Sequence, residues 1–292
     1  METNLTKYKS NVFSQSGEDG VIQEILMRVG SMIELDKWCV EFGAWDGVYL
    51  SNTCNLIRNH GYSAVLIEGD AKKAKQLRLN FPQKNVYCVR RFINFEGSDT
   101  LESVLSSTPL PTDFDFLSID IDGSDYFIFE GLVDYRPKIV CIEFNPYIPN
   151  TVDFVQPKNF LVKQGSSARA INRLATKKGY VLVATTDGNL IFVRDDLVLA
   201  IGSKIPNLED MNVQGNDPQF VFIGFDGTVL SNKAGIPNLH GVDFPIEEVQ
   251  FLPKYLRIFV GDYGFIRKLA YAMFVLLKNP ALFRAEWKRR FG

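Results

Sequence analysis

Four short runs are apolar almost without interruption, and each carries an acid at or next to its end. They are Trp38–Phe42 (WCVEF), Ser63–Glu68 (SAVLIE), 114–120 (FDFLSID) and 139–144 (IVCIEF). Continuous apolar runs of this length are expected of strands covered on both faces, as in a parallel sheet; a half-exposed strand would alternate. A helix-like segment at 17–29 precedes them and others lie between them, at 51–59, Ala71–Asn80 and 100–106, with a further strand expected at Val86–Arg90. In the first of these helices Val21, Ile22, Ile25, Leu26 and Val29 recur at helical spacing, and Ser16 is the expected cap, with Asp19 as its partner. Alternation of strand and helix implies right-handed crossovers and a doubly wound α/β sheet. A helix at 167–178 and a pair of strands, Tyr180–Thr185 and 189–193, follow. Asp187-Gly188 turns that pair into a hairpin, expected to add an antiparallel strand at one edge.

The remainder differs in character. Residues 201–250 are rich in Gly, Pro and Asn and read as an irregular extension with one strand at 220–225. Residues 259–277 read as an apolar helix, broken by Asn279-Pro280, with a short basic helix at 281–291. The expected organisation is therefore a domain over 12–200, the extension over 201–250, and basic apolar helices over 251–292. Net charge is −2 for the 292 residues, yet 251–292 alone holds nine Lys/Arg against Asp262 and Glu286. The chain as a whole is not a general nucleic-acid binder. Its tail is suited to peripheral contact with an anionic membrane face, or to docking on the body or on a second copy. No stretch reaches the ~20 apolar residues of a membrane span, and the first residues lack an apolar secretory core. Cys39, Cys54, Cys88 and Cys141 form no CxxC pair and read as reduced thiols of a cytoplasmic protein.

Ligands of open α/β sheets bind beyond the carboxyl ends of the strands, and acids gather there. Glu41-Phe42-Gly43-Ala44-Trp45-Asp46-Gly47 follows the first strand and Glu68-Gly69-Asp70 the second. Asp120-Ile121-Asp122-Gly123-Ser124-Asp125 and Glu143-Phe144-Asn145 follow the two later ones. Acids are costly to bury unpaired, so the cluster asks for a cation, sugar hydroxyls or another donor-rich ligand. The glycine turn is not GxGxxG. Its acids would repel a pyrophosphate and favour an ammonium or sulfonium group, while Glu68 can accept both hydroxyls of a ribose. S-adenosylmethionine meets that description better than NAD.

The runs VEFGAWDGVYLSNTCNL, VLIEGD, FDFLSIDIDGSDY and PKIVCIEFNP, with the flanks SQSGEDGVIQEIL and GSSARAINRLATKKGYVLV, resemble the FkbM-like branch of S-adenosylmethionine-dependent methyltransferases. The resemblance spans roughly residues 12–200. It implies a Rossmann-like class I methyltransferase fold: a mostly parallel seven-stranded sheet with a reversed last strand. It implies that Glu41, Gly43, Ala44, Asp46 and Gly47 line the methionine end of the cofactor. Glu68 and Gly69 would hold the ribose, and the adenine would lie near Arg91 and Phe92. Trp45 stands where many such enzymes have a third glycine.

Asp120, Asp122, Glu143 and Asn145 form an oxygen-rich set of the kind that holds Mg²⁺, and Asp120, Asp122 and Glu143 are the candidate catalytic acids. Metal-assisted O-methyltransferases have a similar layout. Alternatively, the acids bind the methionine amine or an acceptor hydroxyl without metal, or Asp122 merely caps the next helix. The expected activity is O-methylation of a sugar or glycan-type hydroxyl. Asp120-Ile121-Asp122 also matches the DxD pattern of metal-dependent nucleotide-sugar glycosyltransferases, the alternative reading. A third is a non-catalytic scaffold. Gln15, Ser16 and Glu18 are expected to form a lid over the cofactor. His60 and His240, the only histidines, read as structural, so a histidine-driven triad is not expected.

Overall fold

The computed structural model describes residues 4–202, 205, 207–209, 220–233, 235–236 and 244–291; His240 lies outside them. The chain divides into two compact units, Met1–Asp217 and Pro218–Gly292.

Unit one is built on a seven-stranded sheet. Its strands are β1 (Trp38–Phe42), β2 (Ser63–Glu68), β3 (Val86–Arg90), β4 (Phe116–Ile119), β5 (Ile139–Glu143), β6 (Tyr180–Thr185) and β7 (Asn189–Arg194), in the order β3-β2-β1-β4-β5-β7-β6. β1 to β5 are mutually parallel, and β7 is antiparallel to both β5 and β6. This is the Rossmann-like sheet with one reversed strand that the sequence implied. The reversed strand is not at the edge, as expected, but lies between β5 and β6. The crossover through the helix before β6 skips one position, and the tight hairpin returns β7 into the gap. The order reverses between β1 and β4, which makes their carboxyl ends the ligand crevice of this topology.

Helices α1 (Glu18–Gly30), α2 (Cys54–His60) and α3 (Ala71–Asn80) belong to one face. Helices α4 (Leu101–Ser106), α5 (Asp125–Gly131) and α6 (Ala168–Lys177) belong to the other. Alternate residues of one strand feed the two cores. Val40, Val65 and Val140 join one cluster, whereas Cys39, Ala64, Leu66 and Cys141 join the other. That two-sided burial is why the strands read as unbroken apolar runs. Cys39, Cys54, Cys88 and Cys141 are all free thiols.

At the amino ends of β1, β4 and β5, the buried Lys138 ammonium binds Asp36 at 2.6 Å and Asp115 at 3.0 Å. Asp115 in turn accepts the Lys37 backbone N–H at 2.8 Å. This network pins three neighbouring strands at the end opposite the crevice.

In unit two, β8 (Val221–Ile223) pairs with β9 (Val229–Ser231), and β10 (Gly235–Ile236) with β11 (Phe244–Pro245). Helices α7 (Phe265–Lys278) and α8 (Pro280–Phe291) pack on one another. Among the described residues no helix is long and apolar enough to cross a membrane.

Candidate functional site

The pairing registers bring the acids together. Phe42 stands opposite Ile67 and Ile119, and Ile119 opposite Ile142. One residue further along, Glu68, Gly43, Asp120 and Glu143 form a row across the carboxyl edge of the sheet. The pleat aims Glu68, Asp120 and Glu143 to the same face as Leu66, Ser118 and Cys141, on the α1–α3 side. A crevice of about 670 Å³ opens over this row, within the size range of small-molecule and cofactor sites.

Gly43 is the tightest point. Its φ is +86°, and a Cβ there would lie 1.8 Å from the Asp120 carbonyl oxygen. Only glycine lets the turn after β1 cross the end of β4 so closely. Gly43 and Ala44 both donate N–H groups to the Ile67 carbonyl, which ties the turn to β2. Glu68 completes the tie, accepting the Trp45 N–H at 3.0 Å and the Asp70 N–H at 2.7 Å. One bond per carboxylate oxygen leaves lone pairs for a ligand. Beside it, Phe92 covers Gly69 so closely that a Cβ on Gly69 would sit 2.4 Å from the ring. Arg91 and Phe92, expected near the adenine, line the same crevice.

Asp120, Asp122 and Glu143 hold the opposite end. Their carboxylate oxygens lie within 4.8 Å of one another, close enough to share one cation. Glu143 also accepts the Asp122 N–H at 3.1 Å. Burial pushes the Glu143 carboxyl up to about 10, with the neighbouring Asp120, Asp125 and Asp122 charges adding to it. The Asp120 carboxyl is raised too, by burial and then by Asp122. At neutral pH and without a bound positive charge, Glu143 therefore keeps its proton. Asp125, the first residue of α5, shapes this loop by accepting the Ile121 and Gly123 N–H groups, both at 2.9 Å.

Other expected site residues are held away from the row. Glu41 borders the crevice, but the register sets it one pleat below the row. Its carboxylate accepts the Ser51 hydroxyl at 2.6 Å, the Thr53 hydroxyl at 2.8 Å and the Asn52 N–H at 2.8 Å. Burial nevertheless pushes that carboxyl up to about 7. Asp46 accepts the Val48 and Tyr49 N–H groups and stands outside the crevice lining. Gly47 makes room for α3: a Cβ there would lie 2.5 Å from the Phe81 ring. Asn145 is turned away, its Oδ1 accepting the Tyr147 N–H and its Nδ2 donating to the Gln164 carbonyl. Asp122 does not cap α5, whose cap position is Ser124. Ser16 does not cap α1 either, for the cap position is Gly17, which has no side chain to offer.

Of the three residues expected to form a lid, Gln15 alone lines the crevice. Ser16 donates its N–H to Glu18, whose buried carboxylate also accepts the Thr186 hydroxyl and the Asn189 amide. Asp19 accepts three consecutive N–H groups, from Val12, Phe13 and Ser14. These two acids anchor the segment that carries Gln15.

Trp45 is the residue whose role the sequence concealed. It takes a left-handed backbone, φ +49°, at the expected glycine position. Its side chain stays 46% exposed on the crevice wall. The Lys73 ammonium lies 3.8 Å from the ring centroid, and Tyr49 meets it edge-on at 5.6 Å. Neither contact has a spacing that a sequence pattern would flag.

No protein-family profile matches the chain, and no curated protein does. Solved structures with a similar fold include an O-methyltransferase from Bacillus cereus in complex with SAH, at TM-score 0.40 and 17% identity over 65% of this chain and 84% of that one. A SAM-dependent methyltransferase from Aquifex aeolicus gives TM-score 0.36 and 12% identity over 66% and 97%. LepI in complex with SAM gives 0.36 and 15% over 58% and 46%, so this chain spans less than half of LepI. Likeness at this level concerns the arrangement of the sheet, not the chemistry.

Proposed function

We propose that this chain is an FkbM-like, S-adenosylmethionine-dependent O-methyltransferase acting on a hydroxyl of a sugar or glycan-type acceptor, with Mg²⁺ assisting. The observation that carries the reading is the row at the switch point, with Glu68 at one end and Asp120, Asp122 and Glu143 at the other. The donor set fits the cofactor. Glu68 keeps free lone pairs for the two hydroxyls of a ribose, and the Phe92 ring offers an apolar wall for a base. The acids at the far end favour a positive charge. When bound, S-adenosylmethionine supplies a methyl group on a sulfonium sulfur that is already a good leaving group.

The protein's own contribution is then positioning and proton handling. Asp120 and Glu143 retain a proton between them, and a divalent cation on Asp120, Asp122 and Glu143 would replace it. Such a cation lowers the pKa of an acceptor hydroxyl. Without metal, Asp120 is the acid we assign to receive the hydroxyl proton. The sugar preference rests on Trp45 and Tyr49 lining the same crevice as the acids: aromatic faces pack on the C–H face of a sugar while carboxylates accept its hydroxyls.

The test is incubation of the full chain with methyl-labelled S-adenosylmethionine, Mg²⁺ and a panel of sugars, phenols and amines. Label recovered as sugar methyl ethers is the expected result. Label confined to phenols or amines would overturn the acceptor class, and no label in any acceptor would overturn the activity.

A further inference from the structure

Unit two carries a surface that the crevice chemistry does not use. No residue of α7 is buried, although it reads FIRKLAYAMFVLLK. At about 100° of rotation per residue, Phe265, Ile266, Leu269, Met273, Leu276 and Leu277 fall within roughly one third of the helix circumference. All six are exposed, three of them strongly: Phe265 at 82%, Ile266 at 81% and Leu277 at 78%. Residues on the rest of the helix, Phe274 and Val275, are half-buried, and Tyr271 meets Tyr263 edge-on. The helix therefore presents a second apolar face that the described residues of its own unit leave uncovered.

Charge identifies what that face suits. Arg267, Lys268 and Lys278 lie on the remaining circumference of α7, and α8 adds Arg284 and Lys288. Nine cations stand against two acids over 251–292. A symmetric pairing of this face with its counterpart on a second copy would bring two strongly cationic segments together. An anionic surface is attracted instead. The face is also unsuited to crossing a bilayer: 14 residues span about 21 Å, against a hydrocarbon core of ~30 Å. Trp287, 56% exposed on α8, is of the type that anchors at the headgroup level.

We infer that α7 and α8 form a membrane-surface anchor, with the apolar face of α7 immersed in an anionic leaflet and the flanking Lys and Arg side chains at its phosphates. This stands independently of the crevice chemistry.

The full chain is sedimented with vesicles of phosphatidylcholine alone and of phosphatidylcholine with phosphatidylserine, at low and high salt. The inference expects partitioning onto the serine-lipid vesicles at least tenfold above that onto phosphatidylcholine, reduced at high salt. Leu269→Glu with Met273→Glu and Leu277→Glu should lower it at least tenfold. Lys278→Glu with Arg284→Glu and Lys288→Glu, an all-surface variant, should remove the preference for the anionic lipid. Absence of binding by the wild type, or equal binding to both vesicles, overturns the inference. So does a dimer seen by light scattering that the apolar triple variant dissolves while vesicle binding is nil, because the face would then belong to a second copy.

Discussion

Asp120 and Glu143 stand side by side at the ends of adjacent parallel strands, with carboxylate oxygens within 4.8 Å of one another. Such a pair holds together through a shared proton or through a cation between its oxygens. Without the cation the pair keeps that proton at neutral pH and costs stability there, because the same acids are ionised in the unfolded chain. Asp120→Asn should therefore raise the melting temperature of the metal-free protein by a few degrees while lowering methyl transfer at least 100-fold. Differential scanning fluorimetry in EDTA, run beside the labelled-methyl assay, checks both at once. A variant that is both less stable and fully active would remove the proposed role.

Glu68 holds the turn, accepting the Trp45 and Asp70 N–H groups, and on the proposed reading it also holds the ligand. Glu68→Gln keeps an acceptor for the Trp45 or Asp70 N–H but weakens recognition of a ribose diol. The expected result is a fall of at least tenfold in S-adenosylhomocysteine affinity by calorimetry, with little change in melting temperature. Glu68→Ala should show the same loss of affinity together with measurable destabilisation. An unchanged dissociation constant in both variants would detach Glu68 from the cofactor.

Glu41 sets a pH dependence of folding. Its carboxyl stands near 4.5 as a reference and at about 7 in the fold, so the folded state favours the protonated form. The associated stability is fully present below the unfolded value and is lost as pH rises through about 7. The shift corresponds to roughly 3 kcal/mol over that window. Glu41→Gln should flatten the slope of unfolding free energy between pH 4.5 and 7, measured by urea denaturation. A slope identical to wild type would show that other groups set it.

Two glycines should separate fold from ligand. Gly47→Ala meets Phe81 and Leu77 and forces a side chain at φ +76°. It should cost about 2 kcal/mol or more and leave the cofactor affinity of the folded fraction unchanged. Gly69→Ala meets only the Phe92 ring, at the crevice wall. It should affect affinity more than stability. Urea denaturation and calorimetry on both variants measure the contrast.

Much of this was legible in the sequence because two-sided burial writes itself as unbroken apolar runs: β1 and β2 follow from it to the residue, and β4 and β5 to within two residues. The reversed strand was legible as a hairpin but not in its position, because sequence neighbours do not reveal which gap a crossover leaves open. At the site, Glu68, Asp120 and Glu143 were found as strand-terminal acids. Glu41 looked equivalent, and only the register shows it to be one pleat too early, under Ser51 and Thr53. Asn145 and Asp46 were misleading for another reason: short polar side chains bond readily to backbone two residues on, and both do so here. Trp45 was hidden because its use depends on a left-handed backbone and on Lys73, 28 residues away.

The central claim, a crevice built for an adenosyl cofactor of the S-adenosylmethionine type, is tested most directly by isothermal titration of the full chain with S-adenosylhomocysteine and, separately, with a nucleoside diphosphate, each with and without Mg²⁺. The account predicts one-to-one binding of S-adenosylhomocysteine and no Mg²⁺-dependent binding of the diphosphate. Saturable, Mg²⁺-dependent binding of the diphosphate with no heat from S-adenosylhomocysteine would contradict it and favour the Asp120-Ile121-Asp122 glycosyltransferase reading.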